Sequence, residues 1–223
     1  MCFENWELLG KNLGVYITRE HGFTTDTLLL ANFCKPAPKS ICADFGSGCG
    51  TIALLWAAQQ QAEKIFAVEL QEQAVLQAEA SVRRNGFANV EIRKADINDY
   101  KRIFAHQQLD LIACNPPYKA EGAGRQNPEM GKRLARHEKM LTLEELACAA
   151  AFSLKFGGKL SICQRPERLT DALVSFRKFG LEPKRLRLVQ QHGAKPPSLF
   201  LLECRRGGNP GLQILPTRFV EEK

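Results

Sequence analysis

Residues 40–51 read Ser40-Ile41-Cys42-Ala43-Asp44-Phe45-Gly46-Ser47-Gly48-Cys49-Gly50-Thr51. A short apolar run, three glycines at alternate positions and a helical run from Thr51 to Gln61 spell strand, tight turn, helix. Glycine supplies positive φ and lets a ligand approach the backbone, and the turn delivers its ligand to a helix N-terminus. A dinucleotide loop of the G-x-G-x-x-G kind is met only with a shift, because the third glycine comes one residue early. The D-x-G-x-G-x-G form present here suits a ligand without phosphates.

Outward from this turn the pattern alternates. Lys64–Glu69 is a second strand, Gln71–Asn85 a helix stopped by Gly86, and Val90–Lys94 a third strand ending near Asp96. Leu109–Cys114 is the fourth strand. Thr142 and Glu145 form a capping box for a helix through Leu154, and Gly157-Gly158 precede a fifth strand, Lys159–Cys163. After a helix over Arg168–Phe179, the runs Lys184–Val189 and Leu199–Cys204 are expected to pair as a terminal antiparallel hairpin. Ahead of the turn, Leu13–Thr18 alternates like an edge strand, and Thr24 or Thr25 with Asp26 caps a short helix ended by Pro36 and Pro38. The expectation is one α/β domain over 1–223: a short N-terminal cap at 1–38, a core at 39–206 and a loosely held tail at 207–223. Its sheet is mostly parallel, with helices on both faces and right-handed crossovers.

Sheets of this kind bind ligands beyond the carboxyl ends of their strands, where Asp44, Glu69, Asp96 and Asn115 all fall. Glu69 has the place and the chemistry to accept two ribose hydroxyls. Asp96 suits an adenine amino group, with Ile97 packing on the ring. Singly, each acid is equally a helix cap or a solvated turn. The fourth strand stops at Asn115-Pro116-Pro117-Tyr118. Two prolines remove two donors and fix φ, leaving a stiff bracket with one amide, free carbonyls and one aromatic ring. Asn115 Oδ1 and the Pro116 carbonyl can each accept one N–H of a planar NH2 group, while Tyr118 stacks on its face. A flipped adenine fits that description. Taken alone, the four residues also fit a plain loop after a strand.

Bulk properties narrow the classes. No apolar run approaches the ~20 residues of a membrane span, and the start of the chain lacks the charge and apolar core of a signal peptide. The 8 cysteines are scattered without a C-x-x-C pair, as small reduced core residues, so zinc is not expected and a cytoplasmic setting is. Net charge is +7 and uneven: residues 1–110 hold 11 Lys+Arg against 13 Asp+Glu, whereas residues 111–223 hold 20 against 11. A positive half suggests a polyanionic partner, most simply nucleic acid. Arg125, Lys132, Arg133, Arg136 and His137 follow the bracket and are read as phosphate contacts, or else as a solvated loop.

The glycine turn, Glu69, Asp96 and Asn115-Pro116-Pro117-Tyr118, in that order, resemble a class I S-adenosylmethionine-dependent methyltransferase of the amino-methylating kind over about residues 39–205. More narrowly, Phe23-Thr24-Thr25-Asp26-Thr27-Leu28-Leu29-Leu30-Ala31, Arg136-His137-Glu138 and the terminal hairpin resemble the bacterial tRNA1(Val) adenine N6-methyltransferase family.

The resemblance implies a Rossmann-like fold with a seven-stranded sheet, S-adenosylmethionine as cofactor and tRNA as partner. It implies cofactor contacts from Asp44, Gly46, Gly48, Gly50, Glu69, Asp96, Ile97 and Asn115, with chemistry at Asn115, Pro116 and Tyr118. Substrate contacts fall to Pro117, Tyr118, Arg125, Arg133, Arg136 and His137; a monomer without metal is expected. Rival acceptors are a glutamine amide of a release factor, DNA adenine and the N2 of a ribosomal guanine. A non-enzymatic adenosine sensor would leave Asn115 idle.

Overall fold

The structure, a computed structural model, describes residues 5–116, 141–191 and 193–220. Strand β1 (Asn5–Gly10) folds back on β2 (Leu13–Ile17) as a separate antiparallel hairpin. Helix α1 (Thr25–Phe33) leads to β3 (Ile41–Phe45), α2 (Thr51–Ala58), β4 (Lys64–Glu69), α3 (Glu72–Asn85) and β5 (Val90–Lys94). A short helix α4 (Tyr100–Ile103) precedes β6 (Leu109–Cys114), followed by α5 (Leu143–Ser153), β7 (Leu154–Gln164) and α6 (Leu169–Lys178). Strands β8 (Leu181–Gln190), β9 (Leu199–Arg206) and β10 (Gln213–Phe219) complete the chain.

The main sheet has eight strands in the order β10-β8-β9-β7-β6-β3-β4-β5. From β7 to β5 every neighbour is parallel, and β9 then runs antiparallel to both β7 and β8. The chain winds outward from β3 in one direction and from β6 in the other, so a crevice opens between these two strands at their carboxyl ends. One apolar cluster joins α1, α2 and the β1–β2 hairpin to one face of the sheet. A second joins α5, α6, Ile97 and Phe104 to the other face. Both faces of the central strands are therefore sealed, which is why β3 and β6 read as apolar runs broken only by Asp44 and Asp110.

The expected hairpin is present: β8 pairs with β9 from Leu181↔Arg206 to Val189↔Leu199. The capping box is present too, with Thr142 and Glu145 bonded reciprocally. Two expectations need correction. The tail at 207–223 is not loosely held throughout, because β10 pairs in parallel with β8 and makes an eighth strand where seven were expected. Leu215 and Val220 pack on the core while Ile214 and Phe219 face outward, and Pro216 interrupts the alternation. The N-terminal segment does cap the fold, yet its two strands rest on helix α3 rather than extending the sheet. Gln77 donates to the Tyr16 and His21 carbonyls, Ser81 Oγ accepts from Tyr16 N, and Asn85 bonds both backbone polar groups of Gly14.

The described cysteines carry free thiols, and all but Cys148 are buried. Among the described residues no helix is long and apolar enough to cross a membrane.

Candidate active site

At the carboxyl edge of the sheet lies a cleft of about 540 Å³. Its walls include Gly46, Glu69, Asp96, Ile97, Asn115 and Pro116, six of the residues singled out from sequence. Four loops that are far apart in the chain meet there because parallel strands place all their carboxyl ends on one side.

The glycine turn begins where β3 ends. Gly46 N and Ser47 N both donate to Val68 O, at 2.9 and 3.1 Å, which bends the chain across the end of β4. Gly46 and Gly48 have φ of +71° and +52°, and added Cβ atoms there would meet nothing within 4 Å. Backbone conformation, not crowding, demands glycine at these two positions. Gly50 differs: it caps α2 with φ +83°, and a Cβ would lie 3.1 Å from Ala78 Cβ on α3. It packs helices and does not line the cleft.

Glu69 closes the turn. Oε2 accepts from Gly48 N at 2.8 Å, while Oε1 accepts from Leu70 N and Gln71 N at 2.9 Å each. One carboxylate thus ties the glycine turn to the end of β4 before any ligand arrives. Two donors occupy Oε1, so the remaining acceptor capacity lies on Oε2. The sequence reading gave Glu69 a single role, and the geometry adds this second one.

Asp96 accepts from Asn98 N and Asn98 Nδ2 at 2.8 and 3.1 Å, both on Oδ1, and caps the 3₁₀ turn Ile97–Asp99. Capping therefore uses Oδ1 and leaves the acceptor capacity of Oδ2. Asn115 follows β6 and donates from Nδ2 to Thr27 Oγ1 at 3.4 Å. Its partner sits on α1, a contact that sequence reading missed. Phe23–Ala31 was notable in the sequence, but nothing in its spacing said which strand end it would reach. Glu20, Gly22 and Leu141 also line the cleft and were missed for the same reason. Pro117, Tyr118, Arg125, Lys132, Arg133, Arg136 and His137 lie outside the described residues.

Asp44, within β3 one residue before the strand ends, is 1% exposed, and among the described residues its Oδ2 has no hydrogen-bond partner. Burial pushes its carboxyl up from 3.8 to about 8, the Glu69 carboxylate adds to this, and the Ala53 backbone amide opposes it. The native chain therefore keeps a proton that the unfolded chain has released, and stability falls as pH rises from about 4 to 8. Asp44→Asn removes that titration. Its denaturant midpoint is expected to gain on the wild type's as pH goes from 5 to 9, and parallel curves would refute the assignment.

A glycine turn, an acid after the second strand of the unit and an amide after the fourth, all on one cleft, define a class I S-adenosylmethionine-dependent methyltransferase. The cofactor fits what is present: a turn open to close approach, and a carboxylate with acceptor capacity left for a ribose hydroxyl. The chain matches the methyltransferase small domain family over residues 9–175 and belongs to it. It is 30% identical over 188 residues to a tRNA1(Val) (adenine(37)-N6)-methyltransferase of Porphyromonas gingivalis, covering 81% of this chain and 73% of that one. A protein of the same name from Haemophilus influenzae is 33% identical over 190 residues, covering 79% of each.

Solved structures with the same fold include a predicted O-methyltransferase from Agrobacterium tumefaciens, with a TM-score of 0.69, 19% identity and 87% of each chain covered. Another is a geranyl diphosphate C-methyltransferase from Streptomyces coelicolor bound to S-adenosyl-L-homocysteine, with a TM-score of 0.57 and 12% identity. It covers 81% of this chain and 79% of that one.

Proposed function

We propose that this protein transfers a methyl group to N6 of an adenine in tRNA, at the position beside the anticodon that its relatives' names give as adenine 37. The observation carrying this reading is that Asn115 and Pro116 line the same cleft as the glycine turn, Glu69 and Asp96. Donor and acceptor sites are then neighbours within a single cavity.

S-adenosylmethionine, when bound, supplies an electrophilic methyl on a sulfonium. Glu69 Oε2 would take one ribose hydroxyl, Asp96 Oδ2 the adenine amino group and Ile97 the ring face. The exocyclic amine of an acceptor adenine is a poor nucleophile, because its lone pair is delocalised into the ring. Asn115 Oδ1 and the Pro116 carbonyl accept its two hydrogens, favour a pyramidal nitrogen and stabilise the charge that develops there. No protein base is required before attack, since the proton becomes acidic only once the nitrogen is alkylated. Tyr118 and Pro117 hold the flipped base in line, with stacking worth ~1–3 kcal/mol. Arg125, Lys132, Arg133, Arg136 and His137 bind flanking phosphates, consistent with the basic second half of the chain.

Labelled methyl offered with tRNA, total protein and DNA is expected to enter tRNA alone, and nucleoside mass mapping to find N6-methyladenosine. Label in protein instead would move the acceptor to a glutamine amide. Affinity for tRNA should fall by about tenfold or more between 50 and 200 mM salt if several phosphates are held. A flat salt profile would refute the phosphate contacts.

A further inference from the structure

We infer that Thr27 is a positioning residue, which holds the Asn115 amide with its oxygen toward the acceptor amine. The inference rests on the methyl-transfer reading above and adds to it how the amide is oriented. A carboxamide has a donating end and an accepting end, and only one rotamer presents Oδ1 to an NH2 group. The reversed amide would set NH2 against NH2. Rotation about the last bond of an asparagine side chain is soft and roughly two-fold, so this choice needs an outside partner. In this structure Asn115 Nδ2 donates to Thr27 Oγ1 at 3.4 Å, across 88 residues of sequence. Thr27 stands three residues past Thr24, the N-cap residue of α1, and its N–H is bonded to Thr24 O. Thr27 Oγ1 is the acceptor in this contact, because an amide nitrogen only donates.

Two further observations favour this role. Among the described residues, Thr27 does not line the cleft and its side chain meets that of Asn115, which does. Helix α1 is also a firm mount. Leu30 is fully buried, Trp56 Nε1 bonds Cys34 O at 2.8 Å just past the helix end, and Phe33 lies 4.8 Å under the Arg185 guanidinium. Arg185 in turn pairs with the buried Glu203 at 3.0 Å. The helix cannot drift without disturbing the core.

The test compares Thr27→Val, which keeps shape without the oxygen, with Thr27→Ser, which keeps the oxygen. The expected result for Thr27→Val is a kcat lower by on the order of tenfold. Its affinity for S-adenosylmethionine by calorimetry stays at the wild-type value, and Thr27→Ser restores most of kcat. In parallel, side-chain amide resonances of Asn115, assigned through their loss in Asn115→Ala, exchange faster in Thr27→Val and return to wild-type behaviour in Thr27→Ser. Wild-type kcat or unchanged amide exchange in Thr27→Val overturns the inference. So does a Thr27→Ser variant as impaired as Thr27→Val, or cofactor affinity that falls in step with kcat. If the wild type methylates no tRNA adenine, the proposed function fails, while the amide exchange still decides the Thr27 contact.

Discussion

Asn115→Ala is expected to lower methyl transfer by about 10³-fold or more while leaving S-adenosylmethionine affinity near wild type. The factor is that of removing one preorganised acceptor from a site where charge develops, ~10²–10³, compounded by lost alignment of the amine. Cofactor affinity survives because the glycine turn is held by the Val68 carbonyl and the Glu69 carboxylate, neither of which depends on Asn115. Single-turnover transfer measured beside calorimetric binding separates the two effects. A variant that no longer binds cofactor would show that Asn115 serves the donor site instead.

Glu69→Ala is expected to fail in the opposite order. It removes the acceptor for three backbone N–H groups, those of Gly48, Leu70 and Gln71. A hydrogen bond to a charged group is worth ~1.5–3 kcal/mol, and water entering the cleft offsets part of the loss. The net cost to stability is a few kcal/mol. Affinity for S-adenosylmethionine should drop by about 100-fold or more, since both the ribose acceptor and the shape of the turn go together. Glu69→Gln keeps one acceptor oxygen for the Leu70 and Gln71 amides but turns an NH2 toward Gly48. Its stability and its affinity should both lie between the two extremes. Thermal melts and calorimetry on the three proteins check this, and wild-type affinity in Glu69→Ala would remove Glu69 from the donor site.

These two residues also show what could be read in advance. That Glu69, Asp96 and Asn115 would meet at one cleft was legible because each ends or closely follows a strand, and parallel strands align their ends whatever the details of packing. Thr27 was not legible as the partner of Asn115. Nothing in local periodicity says where a helix ahead of the sheet will lie, and its contact spans 88 residues. The same limit explains β10. Gln213-Ile214-Leu215-Pro216-Thr217-Arg218-Phe219 carries a proline that weakens any strand reading. Only the unpaired edge of β8, available once β9 had covered the other side, made it a strand. The hold of Glu69 on the glycine turn was hidden for a related reason: a side chain suited to ribose hydroxyls is equally suited to backbone amides, and the fold decides which are near.

Alternation of apolar strands with amphipathic helices, punctuated by glycine and proline, determined the layered sheet and the edge on which its chemistry collects. These are local properties of the chain, set by backbone sterics and side-chain period. Tertiary structure alone decided which helix meets the Asn115 amide, which carboxylate oxygens the backbone amides occupy, and that Asp44 is shut away with one oxygen unpartnered among the described residues. Those outcomes depend on distances between segments remote in sequence, and a few tenths of an ångström in such distances separate a bond from none.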